Sequence, residues 1–201
     1  MVIRSNFRLG GKFAQYFKLG ANSDISIYLE NTKMYPLTKS ITPATITCSS
    51  LVYNGSKQIA QITSVTLDGD TLIEGTDYII SINEGGIDVG TYNVTIQGIG
   101  DYVDTSTGSF DITVATGTAN VSGVSLTYNG NSRDLITVTG NTGTMHYRVG
   151  ENGTWSTTIP TATDTGSWII YYYMDATHNY TARGSSSNPW GNVSSSIGKA
   201  D

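Results

Sequence analysis

Short runs in which apolar and polar residues alternate fill the chain from residue 59 onward. Ile59 to Leu67, Tyr78 to Asn83, Thr91 to Gln97 and Ser109 to Ala115 each predict a strand, since β-branched and aromatic side chains recur with a period of two. Asp68-Gly69, Glu84-Gly85-Gly86 and Gly98-Ile99-Gly100 separate them. Val124 to Tyr128, Leu135 to Thr139, Thr144 to Val149, Ser167 to Tyr173 and Val193 to Ile197 carry the same pattern. Within Tyr92-Asn93-Val94-Thr95-Ile96, alternation puts Tyr92, Val94 and Ile96 on an inward stripe and Asn93 and Thr95 in water. Short strands with a turn about every 8–12 residues predict a sandwich or barrel rather than βαβ units.

The pattern also repeats. Val52-Tyr53-Asn54-Gly55 returns as Thr127-Tyr128-Asn129-Gly130. Asp88-Val89-Gly90-Thr91-Tyr92 returns as Asp164-Thr165-Gly166-Ser167-Trp168, and Gly100-Asp101-Tyr102 as His178-Asn179-Tyr180. Three landmarks in one order, about 75 residues apart, predict two tandem copies of one module, 41–116 and 117–201. Modules of this size can bury a modest core without disulfides, because many domains of about 60 residues fold alone.

These motifs resemble a bacterial immunoglobulin-like repeat. The likeness rests on Val52-Tyr53-Asn54-Gly55-Ser56, Leu72-Ile73-Glu74-Gly75-Thr76-Asp77-Tyr78, Val89-Gly90-Thr91-Tyr92-Asn93-Val94-Thr95-Ile96 and Gly98-Ile99-Gly100-Asp101-Tyr102. The second copy resembles a sister type through Thr144-Met145-His146-Tyr147, Gly153-Thr154-Trp155, Gly166-Ser167-Trp168 and Ile197-Gly198-Lys199-Ala200-Asp201. Asp101 departs from the family's Asn in its "GNY" loop, and 182–192 reads as a longer loop. The resemblance implies an all-β chain with two tandem immunoglobulin-like β-sandwich domains. It implies a scaffold or adhesive role without shared catalytic residues.

Composition narrows the chemistry. Only 13% of residues are charged, too few to solvate long surface helices, while 13 Tyr, 4 Phe and 3 Trp argue against disorder. The single cysteine, Cys48, cannot close an intramolecular disulfide and excludes Cys-based zinc and iron–sulfur sites. Two histidines, His146 and His178, are too few for a three-histidine metal site. No apolar run approaches the ~18 residues of a membrane span, and Met1 to Gly11 lacks the apolar core of a secretory signal.

Net charge is −5, unevenly spread. Residues 1–40 hold Arg4, Arg8, Lys12, Lys18, Lys33 and Lys39 against Asp24 and Glu30, a balance of +4, and the remainder carries −9. An acidic body argues against nucleic-acid binding, which needs clustered Lys and Arg. Phe7, Phe13, Tyr16 and Phe17 lie among Arg4, Arg8, Lys12 and Lys18, and Asp24 to Glu30 alternates like a strand. Gly10-Gly11 and Gly20 bound a piece too short to be helical alone. Residues 1–40 read either as an aromatic, basic arm that docks on a larger body or as an extra hairpin on the first module.

Catalytic signals are sparse. No nucleophile elbow, phosphate loop or dinucleotide fingerprint is present, so the expectation is a non-enzymatic protein without cofactor or metal. Asp68, Asp70, Glu74 and Asp77 invite a calcium ion, but Asp68-Gly69-Asp70 lacks the further ligands of an EF-hand loop, and Asp-Gly is a common hairpin turn. Trp155, Trp168, Trp190 and Tyr171-Tyr172-Tyr173 are candidates for stacking on sugar rings. Trp168 aligns with the core position Tyr92, and alternation puts Tyr172 on its face, with Tyr171 and Tyr173 on the other. Trp190, in Ser-Ser-Ser-Asn-Pro-Trp-Gly, is the ring left to meet a ligand.

Such repeats usually occur on bacterial surface proteins or phage virions. A leaderless, cysteine-poor chain fits a virion, whose parts assemble in the cytoplasm without a signal. The expected function is therefore a phage structural protein, a capsid decoration or head-fibre protein. Arg4, Phe7, Arg8, Lys12, Phe13, Tyr16, Phe17 and Lys18 would attach it to the major capsid protein or another virion protein. The alternative is an adhesin module for host-surface glycan. Membrane insertion is not expected, and a homo-oligomer is left open.

Overall fold

The computed structural model describes residues 38–200 in full, together with the backbone of six strands between Val2 and Pro36. Strands β1 (Val2–Ile3), β4 (Tyr16–Leu19), β5 (Ile25–Leu29) and β6 (Thr32–Pro36) pair antiparallel in that order. Strands β2 (Phe7–Leu9) and β3 (Lys12–Ala14) form a hairpin. Arg4 lies outside the described residues, as do the side chains of Phe7, Arg8, Lys12, Phe13, Tyr16, Phe17 and Lys18. Among the described residues the chain is all-β, with no helix long and apolar enough to cross a membrane.

The chain divides into two compact units. The first holds Met1–Leu51, Lys57–Gly86 and Gly90–Asp111, and the second holds Val52–Ser56, Ile87–Val89 and Ile112–Asp201. Three short stretches within 41–116 thus belong to the second unit.

Two sheets build the first unit. One consists of β8 (Thr45–Cys48), β10 (Ile62–Leu67) and β11 (Asp70–Thr71), with β10 central. The other runs in the order β12 (Tyr78–Ile82), β13 (Gly90–Gly98), β15 (Thr105–Thr113), β9 (Leu51–Val52). Val65 and Leu67 from the first sheet and Tyr78 and Ile96 from the second share a buried core with Ile41 and Leu72. Along β13, Val94 and Ile96 are buried and Tyr92 is half-buried, while Asn93 is exposed and Thr95 is half-buried. Strand β7 (Lys39–Ser40) pairs in parallel with β14 (Tyr102–Val103).

Between β10 and β11 the hairpin turns on Asp68 and Gly69, at φ of 51° and 94°. Two successive positive φ angles match the right-handed twist of a two-residue hairpin, which is why Asp-Gly suits it. Asp68 Oδ2 also stands 3.0 Å from Lys39 Nζ.

In the second unit, β16 (Asn120–Gly123) pairs with β19 (Ile136–Thr139), and β18 (Arg133–Asp134) with β21 (Thr161–Ala162). The larger sheet runs β17 (Ser125–Thr127), β23 (Gly191–Gly198), β22 (Gly166–Met174), β20 (Met145–Val149). Leu135, Ile136, Met145, Tyr147, Ile170, Met174 and Ile197 form its buried core.

The strand order of this larger sheet is that of the first unit, and several local bonds recur with it. The Tyr53 N–H donates to Thr113 O at 2.9 Å, and the Tyr128 N–H to Gly198 O at 2.8 Å. Asn54 Oδ1 accepts from the Ser56 N–H at 2.9 Å, and Asn129 Oδ1 from the Asn131 N–H at 3.0 Å. Gly55 and Gly130, which follow these asparagines, have φ of 78° and 77°. The Lys39 N–H donates to Asp101 O at 2.8 Å, and the Ala115 N–H to Asn179 O at 2.9 Å. Sequence landmarks spaced about 75 residues apart therefore carry matching hydrogen bonds.

Candidate binding surface

The outer face of β20 and β22 gathers the most distinctive side chains of the second unit. Alternation buries Met145 and Tyr147 and turns His146 and Arg148 outward. Antiparallel register sets His146 opposite Tyr173 and Arg148 opposite Tyr171. The rings of His146 and Tyr173 stack at 4.4 Å with planes 2° apart. Trp155 reaches the same face because Tyr147 and Ser156 exchange backbone hydrogen bonds of 2.8 and 2.9 Å along the free edge of β20. Its ring stands edge-on to Tyr173 at 4.7 Å.

Arg148 lies between two of these rings. Its Cζ is 4.6 Å from the Trp155 ring and 5.2 Å from the Tyr171 ring, the range in which a guanidinium is attracted to an aromatic face. Among the described residues the guanidinium has no hydrogen bond or ion pair, and its Nε is buried without a partner. The neighbouring charges are otherwise engaged. His146 Nε2 lies 2.7 Å from Asp175 Oδ2, and the Tyr171 hydroxyl donates to Glu151 at 3.2 Å. Desolvation, then the Glu151 charge, holds the Tyr171 hydroxyl above the ordinary tyrosine range. The arrangement presents a cation fixed between rings, suited to a planar anion such as a carboxylate.

Trp190 sits elsewhere. It is half-buried, packed against the core of the second unit, with its ring edge-on to Tyr172 at 5.7 Å and Arg183 over it at 4.8 Å. Trp168 packs against the same core. His178 Nε2 lies 3.0 Å from the Val89 carbonyl oxygen. Asp77 Oδ2 accepts from the Ile73 N–H at 2.8 Å, and no group of three or more His, Cys, Asp or Glu among the described residues is placed to hold a metal ion. Cys48 is half-buried, and burial pushes its thiol pKa up.

The sequence pattern carried part of this surface: alternation set Tyr171 and Tyr173 together on the face away from Trp168. Trp155 is a stacking candidate by residue type, but its place on this face was not legible, because the edge pairing with Ser156 that brings it in is not periodic. Arg148 falls within a predicted strand, where nothing in the pattern singles it out. No protein-family model matches the chain, and no curated protein matches it.

Proposed function

We propose that the chain is a non-enzymatic phage virion protein, a capsid decoration or head-fibre protein. In this reading it consists of two tandem immunoglobulin-like sandwiches carried on an attachment segment, residues 1–40. The observation that carries it is the recurrence of one four-strand sheet with the same Tyr-Asn-Gly turn and the same edge hydrogen bond. Repeated sandwiches suit projection from a surface, since their strength lies in packing rather than in a reactive site. The charge split supports separate roles for the two parts, +4 in residues 1–40 against −9 beyond. Cores that need no disulfide also suit assembly in a reducing cytoplasm.

Deleting residues 1–40 tests the attachment. The truncated chain loses β7 with the segment, so it should keep a cooperative thermal melt at a lowered midpoint yet vanish from purified particles. Truncated protein that still decorates particles would end the attachment reading.

A second reading, an adhesin for host-surface glycan, is favoured by Arg148 between Trp155 and Tyr171. An acidic sugar would offer a carboxylate to the guanidinium and a ring to the aromatic side chains. Trp155→Ala should then reduce binding to host cells, whereas unchanged binding would leave that face without a glycan.

A further inference from the structure

Within the second unit, three stretches of chain hold the turn His178-Asn179-Tyr180. The Asn179 amide is gripped at both ends: Nδ2 donates to Asp88 Oδ1 and Oδ1 accepts from the Val89 N–H, each at 2.9 Å. The rings of Tyr53 and Tyr180 meet edge to face at 5.3 Å. Ala115 completes the seat, donating its N–H to Asn179 O and accepting from the Thr181 N–H, both at 2.9 Å.

Every residue of that seat has a counterpart one repeat later. Tyr128 matches Tyr53, Asp164 matches Asp88 and Thr165 matches Val89 in the recurring motifs. Lys199 and Ala200 match Val114 and Ala115, because Thr113 and Gly198 just before them accept the same bond from the two tyrosines. The four counterparts Tyr128, Asp164, Thr165 and Ala200, together with Lys199, line an open pocket of about 540 Å³. Among the described residues Tyr128 has no ring partner and Asp164 no hydrogen bond or ion pair, and Tyr128 is 40% exposed.

We propose that this pocket receives an Asn-Tyr turn, of the kind made by Asn179 and Tyr180, presented by a partner polypeptide. Asp164 accepts from the amide nitrogen, the Thr165 N–H donates to the amide oxygen, and the incoming tyrosine closes edge-on to Tyr128. Exchanging Val89 for Thr165 leaves the main-chain donor unchanged, so the groups that hold the amide recur in the second seat, while Lys199 in place of Val114 adds a cation at its rim. A second copy of this chain fits less well. Its Asn179-Tyr180 turn is already held by its own Asp88 and Val89, and its other matching turn carries Asp101, which lacks the amide N–H that would donate to Asp164. The inference stands on the equivalence of the two seats and does not depend on the virion reading.

Titrating the isotope-labelled full chain with a cyclic peptide of residues 176–181 tests it by NMR. Amide shifts should concentrate at Tyr128, Asp164, Thr165 and Ala200 and saturate at about millimolar peptide, as befits so small a contact. Replacing the peptide's asparagine by alanine, or using the Asp164→Ala chain, should weaken binding about tenfold. Asp164 is exposed, so a dispersed spectrum will show that the variant is folded. Shifts centred elsewhere, or equal affinity for the two peptides, overturn the proposal. Self-association of the free chain that Asp164→Ala abolishes would seat a second copy in the pocket and overturn the choice of partner.

Discussion

Gly123 and Ser194 meet with no room for a side chain between them: a Cβ on Gly123 would lie 1.9 Å from the Ser194 carbonyl oxygen. Here the chain leaves β16 and enters β17 across one residue, Val124. The Val124 N–H donates to Ser195 Oγ at 3.2 Å and its carbonyl accepts from the Ser196 N–H at 2.9 Å. Ser195, buried, also donates to the Leu135 carbonyl and so ties the crossing to β19's approach. Because the obstacle is backbone, a Gly123→Ala side chain cannot be accommodated by a rotamer change. Urea unfolding should show a loss of about 3 kcal/mol or more, at or beyond the upper end for overpacking because the clash is with backbone. Gly130→Ala is the control, with φ of 77° and nothing within 4 Å of its Cβ, and should cost only left-handed strain, about 1–2 kcal/mol. Equal losses in the two variants would mean that the crossing relaxes freely.

The long strands of both larger sheets were legible in the sequence. Thr91 to Gln97 became β13 and Ser167 to Tyr173 became β22, each with a residue or two added at its ends. Their apolar residues recur over seven or more positions, enough for a period of two to show. Strands β8 and β16 are four residues long, carry one central apolar residue each in Ile46 and Val121, and left no such trace. The switch at Gly123 was equally silent, since a close backbone approach depends on a partner 71 positions away. Trp190 shows the opposite failure, for its Ser, Asn, Pro and Gly neighbours describe an exposed loop while the ring packs inward.

Alkaline pH should unfold the protein through its buried phenols. Tyr78 and Tyr147 are buried in the two cores, and desolvation holds both hydroxyls above the ordinary range, with the Glu74 charge adding to the effect at Tyr78. The unfolded chain releases these protons near pH ~10 while the folded chain still holds them. Stability is therefore complete below that pH and falls as pH rises through the folded values. Lys39, raised by its hydrogen bond to Asp68, and Cys48, raised by burial, shift the balance the same way. Urea midpoints should fall between about pH 9 and 11, and less steeply in Tyr147→Phe. A midpoint that stays level over that range would contradict the burial of these hydroxyls.

The Arg148 guanidinium and the Trp155 ring, 4.6 Å apart, should be energetically coupled. A double-mutant cycle with Arg148→Ala and Trp155→Ala should return a coupling of about 0.5–2 kcal/mol in the unliganded chain. The attraction has a charged partner but no ion pair, so moderate salt should leave most of it intact. Strictly additive losses would mean that solution does not keep the guanidinium over the ring, and the surface would then present a mobile cation rather than a fixed one.

Trp190 should behave as a structural residue. Gly184, at φ of 73°, folds the loop back until its own Cβ position falls 2.3 Å from the Trp190 nitrogen. Ser185 and Asn188 close the turn between them, the Ser185 N–H bonding Asn188 O at 2.9 Å and the Asn188 N–H bonding Ser185 Oγ at 3.1 Å. The ring then lands on Tyr172 and beneath Arg183. Truncation to alanine removes both contacts and opens the flank of the core. Trp190→Ala should therefore lose about 2–4 kcal/mol, somewhat below a fully buried tryptophan. Trp190→Phe, which keeps a ring against Tyr172, should recover more than half of that. A fall in ligand or cell binding by the alanine variant alone would consequently report lost packing. If instead Trp190→Ala unfolds at the parent's urea midpoint, the ring contributes nothing to the core and its role must be sought at the surface.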